Sequence, residues 1–446
     1  MSKFYNALLE DLVLPAGDKL LGTAYIEKLK EWRQIQGKSR AELNKLQKDS
    51  LQKLLALAVK KSPYYKGLQI PQDTDPFKWI KNFPVMTKQS IKENLDGLIL
   101  EDKAKLIKVS GSGSSGIQGE VYLKKTNQSM QQAVQTLWWE WAGYRMGDRI
   151  LQTGMTMKRG FVKRGKDILL NTKYIPAFKL DRNEMLEIFK DLRVNPRKFL
   201  VGYASSLYVI AKLAEENNIN DIHFESVVSW GDKMFPHFRS TIEKQFHTTV
   251  FDTYGCTEGF MIAGECEKHN YHLMTPLIYT EILDDNGHDV PFGQMGKVVV
   301  TRLDSFAMPL IRYYLGDLAE IEDPATICTC GRQFPLLKRV IGRDTDIVKT
   351  RSGKYMIVHF FTGIFEFVPE IKQFKVIQRN LDGMEIEYIK DKGFSETVLK
   401  NLRSKIREYL NEDFPIAFKE VDFIPATPSG KPQIIQSFLK QSVSKP

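Results

Sequence analysis

The chain has 446 residues, 42% hydrophobic and 26% charged, with a formal net charge of +10 and four cysteines; that is room for two to four domains, and too few thiols for a disulfide-stapled scaffold. The longest apolar runs, such as Leu54–Val59, are far too short to span a bilayer, and acidic residues inside "MSKFYNALLEDLVLPAG" break the order of a secretory signal, so a cytoplasmic protein without a membrane span is expected. The lysines are spread along the chain and no RNP, zinc-finger or helix-turn-helix signature occurs, which points away from nucleic acid and towards an anionic small ligand or an acidic protein partner, over a largely solvated surface.

Residues 39–61, "SRAELNKLQKDSLQKLLALAVKK", repeat leucine at three- and four-residue steps, open on a Ser39–Glu42 capping box and stop before Pro63; the pattern predicts a helix. Strand-like runs at Leu106–Val109 and Val121–Leu123 flank "SGSGSSGIQGE". Its glycines let backbone approach a ligand and its free N–H groups can form a nest for an anion, though a flexible hairpin turn accounts for the same residues. No lysine follows at the offset of a P-loop. Residues 127–146 read as a helix in which Trp138, Trp139 and Trp141 cannot share one face. From 150 to 255, strand-like "RKFLVGYAS", "FESVVSW" and "TTVFDTYG" alternate with helical stretches, the pattern of a parallel α/β layer. From 278 the Asn286-Gly287 turn and "GKVVVTRL" predict antiparallel strands. Beyond Gly342, a hairpin about Asp382-Gly383, a helix capped by Ser395 with Val398, Leu399, Leu402, Ile406 and Tyr409 on one face, and the strand "AFKEVDFIP" make a β-β-α-β unit of about 100 residues.

All four cysteines fall between Cys256 and Cys330, and Cys266, His272, Cys328 and Cys330 have a C-x5-H…C-x-C arrangement. Soft thiolates with one imidazole suit a closed, structural tetrahedral Zn²⁺; His269 is the rival imidazole, and free thiols packed in a hairpin are the alternative. Cys256 has no partner in this scheme and is expected to be a small residue beside a ligand, not a nucleophile.

Five stretches occur in one order: "SGSSG" (Ser112, Gly113, Ser114, Ser115, Gly116), "YGCTEG" (Tyr254–Gly259), "IRYYLGDLAEI" (Ile311–Ile321), "IGRDTDIVK" (Ile341–Lys349) and "PATPSGKPQ" (Pro425–Gln433). Each is weak alone. Together they resemble the adenylate-forming acid ligases over nearly the whole chain. The opening helix with its Tyr64-Tyr65 pair, "DPFKWIKNFPVMTKQSIKEN" and "CTCGRQFPLLKRVIGR" resemble the phenylacetate–CoA ligase-like group with its CapK-type members.

The resemblance implies a large multi-layer α/β N-terminal domain over 1–343, with parallel sheets and a β subdomain, and a small mobile α+β lid over 344–446. It implies an ATP-dependent ligase that forms an acyl-AMP and then an acyl thioester, on coenzyme A or on the phosphopantetheine of a carrier protein, from a small aryl or arylalkanoic acid. Ser112–Gly116 would hold the β- and γ-phosphates, although Gln118 and Gly119 replace the family's usual following residues. Glu258 would ligate Mg²⁺, Thr257 lie near the α-phosphate and Tyr254 stack on adenine. Asp317 would take the ribose hydroxyls with Arg343 nearby, Asp346 act as the hinge, and Lys431 reach the carboxylate–α-phosphate junction. Tyr203, Trp230, Gly231 and Asp232 are the residues placed at the acid pocket. A monomer or homodimer is expected. The rival readings are transfer to a carrier protein in secondary-metabolite or capsule synthesis, and a degenerate nucleotide-binding protein without turnover, against which Glu258, Asp317, Arg343 and Lys431 stand.

Overall fold

The computed structural model describes residues 3–69, 75–110, 120–154, 160–177, 182–256, 258–343, 346–352, 354–365, 368–425 and 433–439. The chain forms two compact units, one of residues 1–281, 299–315 and 321–339, the other of 282–298, 316–320 and 340–446. No helix among the described residues is long and apolar enough to cross a membrane.

In the first unit, the strand-like runs that flank the Gly/Ser stretch pair antiparallel as β1 (Ile107–Ser110) and β2 (Glu120–Leu123). The predicted alternation from 150 to 255 folds as a parallel set: β3 (Ile150–Gly154), β4 (Thr172–Pro176), β5 (Phe199–Tyr203), β6 (Ser226–Trp230) and β7 (Thr249–Gly255). The spatial order is β7-β6-β5-β3-β4, every neighbour parallel. Successive strand side chains face opposite ways, and here both faces are covered. Leu151, Leu200, Val227 and Val250 pack with helices Arg182–Val194, Ala204–Glu216 and Pro236–Phe246. Ile150, Phe199, Val201, Val228 and Phe251 pack on the other face with Ala142, Tyr144 and Trp139. Two buried faces are why these strands read as nearly continuous apolar runs.

Beyond β7 the direction reverses. β8 (Met261–Glu265) runs antiparallel to β7, β9 (Tyr271–Leu273) antiparallel to β8, and β13 (Leu336–Arg343) meets β9 at Leu336 and Leu337. β10 (Ile278–Leu283), β11 (Met295–Arg302) and β12 (Tyr313–Ile321) lie between them in the chain.

The helix predicted from 39 begins at Arg40, ends at Lys61 and has the Ser39–Glu42 capping box. The tryptophan helix spans Lys125–Trp141 and so ends earlier than predicted, where Gly143 takes a positive φ. Trp138 and Trp141 are buried, while Trp139 turns away to stack on Trp230 with ring centroids 6.1 Å apart. The helix Tyr25–Ile35, which carries no sequence motif, lies against it: Tyr25 and Thr136 hydroxyls are 2.8 Å apart and Arg33 donates to both Glu140 oxygens.

In the second unit β14 (Ile347–Lys349) pairs antiparallel with β15 (Tyr355–Ile357). The predicted β-β-α-β unit forms from β16 (Ile371–Asn380), β17 (Gly383–Lys390), the helix Glu396–Leu410 and β18 (Ile416–Glu420), and β19 (Ile435–Ser437) adds a fourth strand parallel to β16. Leu399, Leu402, Ile406 and Leu410 are the buried stripe; Tyr409 lies exposed with its ring on Phe360. Ser395 has the extended N-cap backbone but makes no side-chain capping bond.

Gly264 of β8 lies under the Trp138 indole, and a Cβ there would meet the ring at 2.5 Å. Gly264→Ala should cost about 1–3 kcal/mol of stability by overpacking, read as a lower urea midpoint; an unchanged midpoint would show that the tryptophan moves aside freely.

Candidate functional site

Ligands of α/β sheets sit outside the carboxyl ends of the parallel strands. β5, β6 and β7 end at Tyr203, Trp230 and Gly255, and Tyr203 and Trp230 are register partners. Their rings meet edge to face, centroids 6.5 Å apart. Gly231 follows with φ +78, and a Cβ there would lie 2.6 Å from the Tyr203 ring. Asp232 accepts from the Ser205 backbone N–H at 3.2 Å and from the Ser205 hydroxyl. The structure therefore brings Tyr203, Trp230, Gly231 and Asp232 together.

β7 ends within the "YGCTEG" stretch at Gly255, and Cys256, Glu258 and Gly259 lie between it and β8. The Cys256 N–H donates to the Phe260 carbonyl and the Gly259 N–H to the Cys256 carbonyl, both at 3.0 Å. Gly259 has φ +91, and a Cβ on it would collide with the Gln131 side chain. Arg302, wholly buried, donates from Nη1 to the Gly259 carbonyl at 2.9 Å and from Nη2 to the Asn127 carbonyl at 3.1 Å, while Asp304 takes its Nε at 2.6 Å. Burial of its thiol raises Cys256 well above the ordinary thiol range.

Glu258 is buried at this turn. One carboxylate oxygen accepts from the Tyr313 hydroxyl at 3.1 Å and has the Lys88 ammonium 3.8 Å away. Neither partner carries a sequence signal that ties it to Glu258. Tyr254 is buried, paired in register with Ala263. In the second unit Arg343 at the end of β13 reaches the buried Asp317 of β12, Nε to Oδ1 3.1 Å. Asp346 directly precedes β14. Ser112, Gly113, Ser114, Ser115, Gly116, Gln118, Gly119, Thr257 and Lys431 lie outside the described residues.

Cys266, His272, Cys328 and Cys330 converge, with all four ligand atoms within 4.8 Å of one another. The Sγ atoms of Cys266 and Cys328 are 3.7 Å apart, too far for a disulfide, and His272 Nε2 lies 3.3 Å from Cys330 Sγ. Burial first, then Arg332, lowers the His272 imidazole to about 4, so it is neutral and able to ligate. These residues could hold a metal ion. His269 instead sits with its Nδ1 3.2 Å from Arg239 Nη1 and 3.7 Å from Glu265.

Along β7, Asp252 is buried and accepts from the Ser229 and Tyr271 hydroxyls. Its backbone N–H donates to Glu265, whose carboxylate Arg239 grips with both oxygens at 2.8 Å. Burial, with the Glu265 charge second, pushes Asp252 up to about 7. Between an unfolded value of about 4 and this value the folded chain keeps a proton that the unfolded chain has lost, so stability falls as pH rises through that window. Asp252→Asn should flatten the fall in unfolding free energy between about pH 4 and about pH 7; an unaltered slope in urea titrations would remove Asp252 as its source.

Residues 348–437 match the model of the CapK C-terminal domain family. Protein CapK of Staphylococcus aureus is 24% identical over 363 residues, 79% of each chain. A phenylacetate–coenzyme A ligase of Thermus thermophilus is 24% identical over 334 residues, 70% of this chain and 73% of that one. Among solved structures, 2-hydroxyisobutyryl-CoA ligase in its postadenylation state with 2-HIB-AMP superposes with a TM-score of 0.69 at 18% identity, covering 91% of each chain. Residues 348–437 thus match a CapK C-terminal domain, and over most of its length the chain is similar to CapK and to phenylacetate–coenzyme A ligases and shares the fold of an acyl-CoA ligase.

Proposed function

We propose that the protein is an ATP-dependent acid–thiol ligase: it joins a small carboxylic acid to AMP with release of pyrophosphate, then passes the acyl group to a thiol. The observation that carries this reading is the buried Glu258 carboxylate, presented by the reversal after β7 and held by Tyr313 and Lys88. A single carboxylate suffices for Mg²⁺, which keeps phosphate oxygens and waters as its other ligands. Bound there, the ion would offset charge on the nucleotide phosphates.

The other roles follow by motif. Ser112–Gly116 cradle the β- and γ-phosphates, Thr257 lies by the α-phosphate, and Tyr254 lies against adenine. Asp317 supplies two acceptor oxygens for the ribose hydroxyls, with Arg343 holding its other side. The acid lies against Tyr203, Trp230, Gly231 and Asp232, where aromatic walls favour an aryl or arylalkanoic group; relatives named phenylacetate–coenzyme A ligases support this class. Lys431, carried by a lid of residues 344–446 that turns about Asp346, offsets the repulsion between the acid's carboxylate and the α-phosphate. Coenzyme A is the acceptor of this reading.

Pyrophosphate exchange over a panel of acids, followed by thioester formation with coenzyme A or a carrier protein, tests it. Lys431→Ala should lower exchange about a hundredfold or more, while thioester formation from chemically made acyl-adenylate falls much less. Equal losses in the two assays would sink the adenylation-specific role of Lys431, and no exchange with any acid would sink the ligase reading.

Zinc is the metal that suits the cysteine cluster. Bonds of about 2.3 Å to sulfur and about 2.0 Å to nitrogen in a tetrahedron put two sulfurs about 3.8 Å apart and a sulfur and nitrogen about 3.5 Å apart. Two of the six separations are 3.7 and 3.3 Å, and all lie within 4.8 Å. Four protein ligands leave no open position, so the role is structural. Protein prepared without chelators should hold about one zinc per chain, and Cys330→Ser should lose the metal and melt at lower temperature. Metal-free protein with an unchanged melting point would leave the four residues as packed thiols and imidazole.

A further inference from the structure

Among the described residues with positive φ other than glycine, five are Asn or His, which visit the left-handed region readily; Arg312, at φ +52, is the exception. A strained backbone at a long side chain persists only where its surroundings over-determine it, and they do so here. The guanidinium is buried and donates from Nε to Glu281 at 3.1 Å, with Nη2 3.1 Å from the other Glu281 oxygen. Nη1 donates to the carbonyls of Lys81 and Phe83 at 3.2 and 3.0 Å, and Lys81 Nζ closes the triad on Glu281 at 2.7 Å. The backbone is held as firmly. The Arg312 N–H donates to Thr301 Oγ1, its carbonyl accepts from the Met86 N–H, and the Tyr314 N–H returns to the Met86 carbonyl, each at 2.8 Å.

This fastening has two outlets, and both end on Glu258. Tyr313, the next residue in the chain, donates its hydroxyl to the carboxylate. Met86 leads through Thr87, the N-cap, to Lys88, the first residue of the helix Lys88–Glu93, whose ammonium faces the same oxygen. Arg312 itself is hydrogen-bonded elsewhere. The geometry points to Arg312 as a positioning residue for the reaction: its buried pairing with Glu281 and its left-handed backbone lock residues 81–88 to the start of β12, so that Tyr313 and Lys88 hold the Glu258 carboxylate in one place. A guanidinium is needed because only a planar fork reaches a carboxylate and two carbonyls together. As a role in catalysis, this inference rests on the ligase reading above; as a linkage within the fold, it stands apart from it.

Two conservative variants test it from the two sides of the ion pair. Arg312→Lys keeps the charge on Glu281 but cannot reproduce the fork, and Glu281→Gln keeps the shape but removes the charge. Hydrogen exchange should quicken in both variants over 81–88 and over 254–260, and little elsewhere. Unchanged exchange over 254–260, or uniform quickening along the whole chain, overturns the proposal. In pyrophosphate exchange Arg312→Lys should lower kcat about a hundredfold, with the half-saturating Mg²⁺ raised and the KM for the acid little moved. Tyr313→Phe should cost much less in the Arg312→Lys background than in the wild type, because the hydroxyl is already misplaced. Independent, multiplicative losses overturn the proposal. A wild-type protein without any exchange activity would remove the ligase reading alone, since the hydrogen-exchange comparison still decides whether Arg312 fixes the Glu258 turn.

Discussion

The carbonyl of Gly259 accepts a hydrogen bond from a guanidinium that water does not reach, and the candidate site depends on that bond. β7 is the seam of the sheet, parallel to β6 on one side and antiparallel to β8 on the other. The chain must reverse at its end within a few residues, and that reversal carries Glu258. A buried arginine is costly unless every charge and donor is met. Here Asp304 accepts from Nε and Nη2, Asn127 and Gly259 supply carbonyls, and the Asn127 amide in turn donates to Asp304. The same Asn127 caps its own helix through the Lys124 N–H. One satisfied network thus ties the helix Lys125–Trp141, the end of β11 and the turn together, and a satisfied buried network specifies a unique geometry better than apolar packing does.

The elements that are legible in the sequence are those whose signal is local. The Ser39–Glu42 box, the alternation of strand and helix from 150 to 255 and the hairpin at Asp382-Gly383 each state their own conformation within a few residues. The cysteine cluster is also legible, because thiols are rare enough in this chain for their grouping to stand out. What surrounds Glu258 is not. Lys88 comes from a stretch of the chain far from Arg302, Arg312 and Tyr313, all four are distant in sequence from Glu258, and a lysine at a helix start or an arginine at a strand end looks the same whether it is solvated or buried. Their roles come from tertiary packing. The buried stripe of Glu396–Leu410 shows the same limit on a smaller scale: periodicity places Tyr409 near the apolar face, but Leu410 fills the core and the phenol stays in water.

Charge is sorted by depth. At the surface, lysines pair with nearby acids, such as Lys198 with Glu225 and Lys212 with Glu215, where each pair is worth little. The buried charges are arranged differently. The buried Arg302 and Arg312 and the half-buried Arg239 each face a carboxylate that is itself nearly inaccessible or tightly bound: Asp304, Glu281 and Glu265. All three are arginines, as expected where a cation must be desolvated yet satisfy several acceptors in fixed directions. Two of them brace β7 and its turn, Arg302 from the turn side and Arg239 through Glu265 to the Asp252 N–H.

The cysteine cluster belongs to the same support. Cys266 follows β8 directly, His272 lies in β9, and Cys328 and Cys330 lie in the chain ahead of β13, which pairs with β9 through Leu336 against His272. Three strands of the antiparallel half are therefore joined at one point, while Glu265 and Tyr271, the neighbours of two of these ligands, reach across to Asp252 of β7. An ion fixing the four ligands would hold Glu265 and Tyr271 in place as well, and with them the strand that carries the Glu258 turn. A metal held there would thereby act at a distance from Glu258, through the side chains that β8 and β9 send to Asp252 of β7.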